Sequence, residues 1–362
     1  MPDPSTLKRT PRIGLCLCGG GVTGAMYQVG CLAALEDRIE SFQAGNFDLF
    51  VGTSSGAAVA TAMAGGLSVQ RLYRALLDPA DDFFPLSRNH LLRIDVAELL
   101  RVFGTTITAA RRIVSSAATS PLDVNVWTEL ERFVDSLPAG VFTLDPYERF
   151  IAEFMTRRGI SHTFSELPRP LYIVANDLDA GQRVVFGKDA LRDVPIPRAI
   201  AASSALPILY APVRHDGRDY IDGGIGEVAH VDIAQDDGCE LIVVVNPMVP
   251  VHAGASGLDV PTGHGPKRRV RDKGALWVYE QAIRMRSKAR LQLSLDQFRT
   301  SAQFVLLEPK QSDATLFMYS PMNFAARRAI LEEGYTGTVR LLSEPDSPVR
   351  ATLEQHGYRV RS

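Results

Sequence analysis

The chain has 362 residues, 46% of them hydrophobic and 22% charged, with a formal net charge of −2. That composition excludes a disordered or fibrous chain and supplies enough apolar residues for a sizeable core. The near-neutral balance gives no global reason to expect nucleic acid as a partner. No apolar run approaches the roughly 20 residues of a membrane-spanning helix. Residues 1–12 are polar, carry proline and lack an apolar signal core, so a cytoplasmic protein is expected, able at most to rest on a membrane surface. The four cysteines (Cys16, Cys18, Cys31, Cys239) are too few and too irregularly spaced for a disulfide framework and read as small buried residues; no metal site is expected.

In chain order, the continuous apolar run Ile13–Leu17 reads as a buried strand, and residues 24–40 as a helix with apolar side chains at helical spacing. A second strand is expected over 47–51, and then a helix of unusually small residues over Ser55–Ala64. This alternation argues for a parallel α/β sheet with helices on both faces. Residues 92–154 change to helical periodicity (Val126, Leu130, Phe133, Val134, Leu137) and read as a helical insertion over the sheet. Strands return at 171–175, 183–186, 220–221 and Leu241–Val245. A loop rich in Gly254, Gly257, Pro261, Gly263 and Gly265 follows. The long helix Ala275–Phe298, the strand Gln303–Leu307 and a helix over 325–342 close the chain.

Two turns carry chemistry. In Gly52-Thr53-Ser54-Ser55-Gly56, a serine framed by two glycines stands between a strand and a helix. The glycines relieve crowding at a sharp bend and leave the Ser54 hydroxyl at the mouth of the sheet, as a nucleophile requires. In Gly19-Gly20-Gly21-Val22-Thr23-Gly24, the glycines expose backbone N–H groups at the start of a helix. Such groups, those of Gly20 and Gly21 above all, make an oxyanion hole worth about 3 kcal/mol per donor in a dry site. The same glycines also satisfy the dinucleotide fingerprint Gly-x-Gly-x-x-Gly. That reading, an NAD(P)-binding protein, needs an acid ending the second strand, whereas Glu36 and Asp37 fall inside the expected helix.

A general base is harder to find among His90, His162, His215, His230, His252, His264 and His356. None sits at a distinctive strand end; His230, after Gly226-Glu227-Val228-Ala229, is the best candidate for a base among them but reads first as a loop residue. Asp222, in Tyr220-Ile221-Asp222-Gly223-Gly224, follows a short strand and precedes two glycines that permit a tight turn. A partly desolvated carboxylate there is able to take the serine proton directly. By itself, the motif reads first as an ordinary Asp-Gly turn.

Gly19–Gly24, Gly52–Gly56 and Asp222–Gly224, taken in order, resemble the patatin-like phospholipase family, as do the stretches 175–178 and 199–207. The resemblance runs over about 13–247. It implies a three-layer α/β sandwich with a mostly parallel sheet, a Ser54–Asp222 dyad without histidine, an oxyanion hole at Gly19–Gly24 and no cofactor. The activity implied is hydrolysis of lipid carboxylic esters through an acyl-enzyme; a catalytically silent lipid-binding or scaffold protein is the alternative. The chain departs from the family at Thr23, where Arg or Lys is usual, and at Cys18, where Asp is frequent. Residues 248–362 are expected as a C-terminal extension packed on the core. Between 267 and 290 stand nine basic residues (Lys267, Arg268, Arg269, Arg271, Lys273, Arg284, Arg286, Lys288, Arg290) and two acids. They form either a solvated face or a peripheral contact with anionic membrane.

Overall fold

The computed structural model describes residues 11–94, 135, 138–252, 260, 262, 265, 269–310 and 324–361. The chain opens with β1 (Ile13–Leu17), α1 (Gly21–Arg38), β2 (Leu49–Thr53), α2 (Ser55–Ala64) and α3 (Val69–Leu77). Then come α4 (Arg88–Leu91), β3 (Arg93–Ile94), β4 (Gly140–Thr143), α5 (Asp145–Arg157), β5 (Leu171–Asp177), β6 (Gln182–Phe186) and α6 (Ile196–Ser203). The remainder is β7 (Ile208–Tyr210), β8 (Val213–His215), β9 (Arg218–Asp222), α7 (Val231–Asp236), β10 (Leu241–Val245), α8 (Ala275–Phe298), β11 (Gln303–Leu307), α9 (Phe324–Ser343) and α10 (Pro348–Gln355).

The main sheet has the order β11-β10-β1-β2-β5-β9-β8, with β6 also paired to β5. Pairing is parallel from β11 through β5 and antiparallel at β5–β9, β9–β8 and β5–β6. Every residue of β1, β2 and β10 is buried, as strands covered on both faces must be. One apolar layer joins the sheet to α1, α2, α5, α6 and α9, and the opposite layer joins it to α7 and α8. Because β1 has β2 on one side and β10 on the other, its C-terminal end opens a crevice of the kind in which α/β sheets place their sites.

The C-terminal helix belongs to this packing. A Cβ on Gly30 of α1 would lie 2.2 Å from the Leu331 carbonyl oxygen, and one on Gly334 of α9 would lie 2.3 Å from that of Tyr27. Only glycine at both positions lets the two backbones approach so closely.

Several boundaries differ from the sequence reading. Helix α1 starts at Gly21 rather than 24, because Gly20 (φ 135°) already makes the turn. Strand β2 covers 49–53, since residues 44–46 form a 3₁₀ turn that uses up the chain before it. Within 92–154 the structure contains β4, paired in parallel with β7; its partner lies far along the chain and gives no local signal. The helical periodicity at Val126, Leu130, Phe133, Val134 and Leu137 lies outside the described residues, as do Gly254, Gly257, Pro261 and Gly263. Among the described residues, no helix is long and apolar enough to cross a membrane.

Candidate active site

The glycine frame around Ser54 is a steric requirement. A Cβ on Gly52 would lie 2.5 Å from Ala57 Cα, and one on Gly56 would lie 2.3 Å from the Leu17 carbonyl oxygen. Between them Ser54 takes φ 54° and ψ −126°, a conformation that costs a side-chain-bearing residue about 1–3 kcal/mol. Its N–H donates to Ser203 Oγ at 2.7 Å, and that hydroxyl donates to the Val174 carbonyl at 2.5 Å. Ser54 is thereby held from α6 and β5 as well as from its own turn. Thr53 is buried, and Ser55 opens α2 on the wall of the cavity described below.

The first glycine turn faces this serine. A Cβ on Gly19 would lie 3.2 Å from Ser54 Cβ. Gly20 caps α1, and the first helical amide bond runs from Gly24 N to the Gly20 carbonyl at 3.0 Å. The amides of Gly21, Val22 and Thr23 therefore precede the helical ladder, and no side chain caps the helix. Thr23 is buried and turns its hydroxyl back to the Gly20 carbonyl at 3.2 Å, so it fastens the turn from within. Cys18, buried and free, donates its amide to the Val245 carbonyl at 3.2 Å and accepts from Gln28 Nε2.

Asp222 ends β9 across β5 from Ser54. Its amide donates to the Ala205 carbonyl at 3.0 Å, and its carbonyl accepts from Asn176 Nδ2 at 2.8 Å. Gly223 has no room for a side chain, because a Cβ there would lie 2.2 Å from the Val174 carbonyl oxygen. The Gly224 amide donates to Asp222 Oδ1 at 2.7 Å. Burial pushes the Asp222 carboxyl up to about 6, against the opposing hydrogen bonds from the Gly224 amide and the Ser54 hydroxyl, with Glu280 adding to the rise. Ser54, the Gly19–Gly24 turn and Asp222 thus meet in one place.

They line a cavity of about 380 Å³ whose walls are mainly apolar, among them Met26, Leu72, Phe154 and Ile200. Charged lining among the described residues is confined to Asp222, Glu280 and Arg284. Arg284 is buried and donates to the carbonyls of Pro247 at 3.3 Å and Val249 at 3.2 Å, with Glu280 at 3.9 Å. It therefore leaves the expected lipid-facing basic set; Lys267 and Arg268 lie outside the described residues. Sequence reading gave no individual role to Ser203 or Asn176 and placed Arg284 on the lipid-facing side, since each meets the site only through a contact distant in sequence.

Among the described residues, which do not include His264, no histidine lines the cavity. His90, His162, His215 and His356 bond to residues away from the cavity. Both ring nitrogens of His230 are engaged elsewhere, at the Gly223 carbonyl and at Arg183. The dinucleotide reading loses its acids as well. Glu36 accepts the Ala44 amide and Asp37 accepts from Gln70 and Tyr335, both acids standing in the last turn of α1, at the end away from the glycine turn.

A serine on a strained strand-to-helix turn, a glycine-rich helix start beside it and an aspartate at a strand end two strands along the sheet mark a candidate site in a three-layer α/β protein. The chain belongs to the patatin-like phospholipase family, whose model matches residues 15–234. It is 27% identical over 240 residues to a cGAMP-activated phospholipase from Escherichia coli (strain TW11681), covering 62% of this chain and 55% of that one. The chain thus spans about half the length of that curated relative. Among solved structures it is similar to VipD from Legionella pneumophila (17% identity, TM-score 0.41, 92% of this chain and 67% of that one). It is also similar to human GIVD cytosolic phospholipase A2 (11% identity, TM-score 0.38, 96% and 60%).

Proposed function

We propose that this protein is a lipid acyl hydrolase that cleaves carboxylic esters through a Ser54–Asp222 dyad. The observation that carries the reading is the buried Asp222 carboxyl, which shares the wall of one apolar cavity with Ser54 and the turn residues Gly19 to Thr23; burial raises it to about 6. A carboxylate with that affinity is ionised at neutral pH yet basic enough to receive a serine proton in the transition state.

Ser54 Oγ attacks the ester carbonyl carbon while its proton passes to Asp222. The negative oxygen of the tetrahedral intermediate is held by amides of the Gly19–Gly24 turn, Gly20 and Gly21 above all, with the positive end of α1 behind them. As the ester C–O bond breaks, Asp222 returns the proton to the leaving alcohol, and the acyl group stays on Ser54. Water then attacks the acyl-enzyme, giving its proton to Asp222, and the carboxylic acid departs as Ser54 recovers its hydrogen. The apolar walls favour a lipid acyl chain, since each methylene moved out of water contributes about 0.8 kcal/mol.

Peripheral contact with anionic membrane is proposed through the outer face of α8 and its lead-in. Val278, Met285 and Leu293 are 48%, 59% and 62% exposed there, and Arg269, Arg271, Arg286 and Arg290 are exposed beside them. Lys288 pairs with Glu308, Arg290 also reaches Glu227 at 3.4 Å, and Lys273 lies over the Trp277 ring. The test is hydrolysis of phospholipids, lysophospholipids, triacylglycerols and short esters, with and without cGAMP, the activator in the relative's name. Turnover of at least one acyl lipid that vanishes in Ser54→Ala is expected; no turnover of any ester would overturn the reading.

A further inference from the structure

His230 is buried to 2% exposure and sits in the left-handed region, φ 45° and ψ 46°, directly before α7. Glycine would meet that backbone demand without strain. Its ring, moreover, has two fixed contacts. Nε2 lies 3.2 Å from the Gly223 carbonyl oxygen, which only accepts, so Nε2 carries the proton. Nδ1 lies 3.3 Å from Arg183 Nη1, which only donates, so Nδ1 is the acceptor. The two contacts demand the same neutral tautomer. Arg183 is itself held by Asp232, at 2.9 and 2.6 Å.

The carbonyl that His230 grips shares a rigid peptide plane with the Gly224 N–H. That N–H donates to Asp222 Oδ1 at 2.7 Å. In a trans peptide the oxygen and the hydrogen point in opposite directions, so holding one aims the other. A hydrogen bond to the oxygen also polarises the N–H and strengthens it as a donor.

We infer that His230 is a positioning residue for Asp222, orienting and polarising the peptide whose N–H holds the carboxylate. This rests on Asp222 being the base, as proposed above. The chain of contacts runs Asp232, Arg183, His230, Gly223–Gly224, Asp222. Glu227, His230 and Asp232 also present ligand atoms within 4.8 Å of one another, a spacing that suits a metal ion. The Arg183 guanidinium already bonds both Asp232 and His230, however, and Glu227 accepts from Ser294 at 2.9 Å and Arg290 at 3.4 Å. A built-in cation thus already engages two of the three groups a metal would need.

The experiment measures kcat and KM for a soluble short ester across pH, using the full chain and the variants His230→Asn, His230→Gln and Asp222→Asn. Asparagine suits the left-handed backbone but is too short to reach Gly223, whereas glutamine carries its amide nitrogen to the place of Nε2. The groups that act on Asp222 are the Gly224 amide, the Ser54 hydroxyl and Glu280 of α8; those on His230 are Glu227, Arg183 and Asp232. His230→Asn is expected to lose roughly tenfold in kcat with KM little changed, and to move the acidic limb of the pH profile upward by about half a unit or more, as a weakened donor to a carboxylate requires. His230→Gln recovers most of both. If His230→Asn does not fold, His230→Gly, which relieves the backbone, carries the same test. Wild-type kcat, an unmoved acidic limb, or a glutamine variant no better than asparagine would overturn the inference. Asp222→Asn separates the two levels. If it keeps turnover, the base assignment itself fails; if it is inactive while His230→Asn behaves as wild type, only the positioning role fails.

Discussion

The Ser203 hydroxyl accepts the Ser54 amide at 2.7 Å and donates to the Val174 carbonyl at 2.5 Å, so one buried hydroxyl ties the strained serine turn to the adjacent strand. Ser203→Ala leaves a buried N–H and a buried carbonyl each short of a partner. A stability loss of about 1–3 kcal/mol is expected in denaturant melts. kcat should fall with it, because the backbone of Ser54 is then free to leave φ 54°.

Asp222 sets opposite demands on stability and activity. Its folded-state value, about 6, lies above the ordinary 3.8, so protonation favours the fold. The stability it contributes is full below about 3.8 and is lost as pH rises through 6, a swing of about 3 kcal/mol. Asp222→Asn should therefore melt higher than wild type at pH 7.5, and the gap should close toward pH 4. Activity runs the other way, with kcat/KM of the wild type falling as pH drops through about 6. A variant that melts no higher than wild type at pH 7.5 would show that burial of this carboxylate is not costly.

Glycines of equal rarity on paper should differ sharply in the tube. Gly56→Ala brings a Cβ to 2.3 Å from the Leu17 carbonyl oxygen, and the loss should reach about 4 kcal/mol or prevent folding. Gly181 has φ 63° but open space around it, so Gly181→Ala pays only the left-handed backbone, about 1–2 kcal/mol. Equal losses from the two would remove the steric basis given to the serine turn.

The sequence carried this much of the candidate site because its proposed parts are local. Gly52, Ser54 and Gly56 fall within one turn, and Gly19 through Gly24 within another, each after a fully buried strand that reads as an apolar run. Asp222 needed the family resemblance, since an Asp-Gly turn looks the same with or without a serine opposite it. What stayed hidden depends on distance in the chain. Ser203 reaches Ser54 across 149 residues, and Arg183 reaches His230 across 47. Strand β4 pairs with β7 only after the intervening elements have brought the two together. Arg284 sat in a basic run, and nothing in its spacing marked it as a cation that turns inward to two backbone carbonyls.

The C-terminal helix should be inseparable from the core. Gly334→Ala places a Cβ 2.3 Å from the Tyr27 carbonyl oxygen and forces α9 away from α1. A loss of about 3 kcal/mol or more is expected in the main unfolding transition. A separate early transition, with the core unaffected, would instead mark residues 324–361 as an independent unit.

The most direct measurement is covalent labelling by a fluorophosphonate, read by intact-mass and peptide mass spectrometry alongside ester turnover. Wild type should gain one adduct, located at Ser54, and lose turnover in step with labelling. Ser54→Ala should gain none and hydrolyse nothing, and Asp222→Asn should label far more slowly. Hydrolysis retained in Ser54→Ala, or an adduct on another residue, would contradict the dyad.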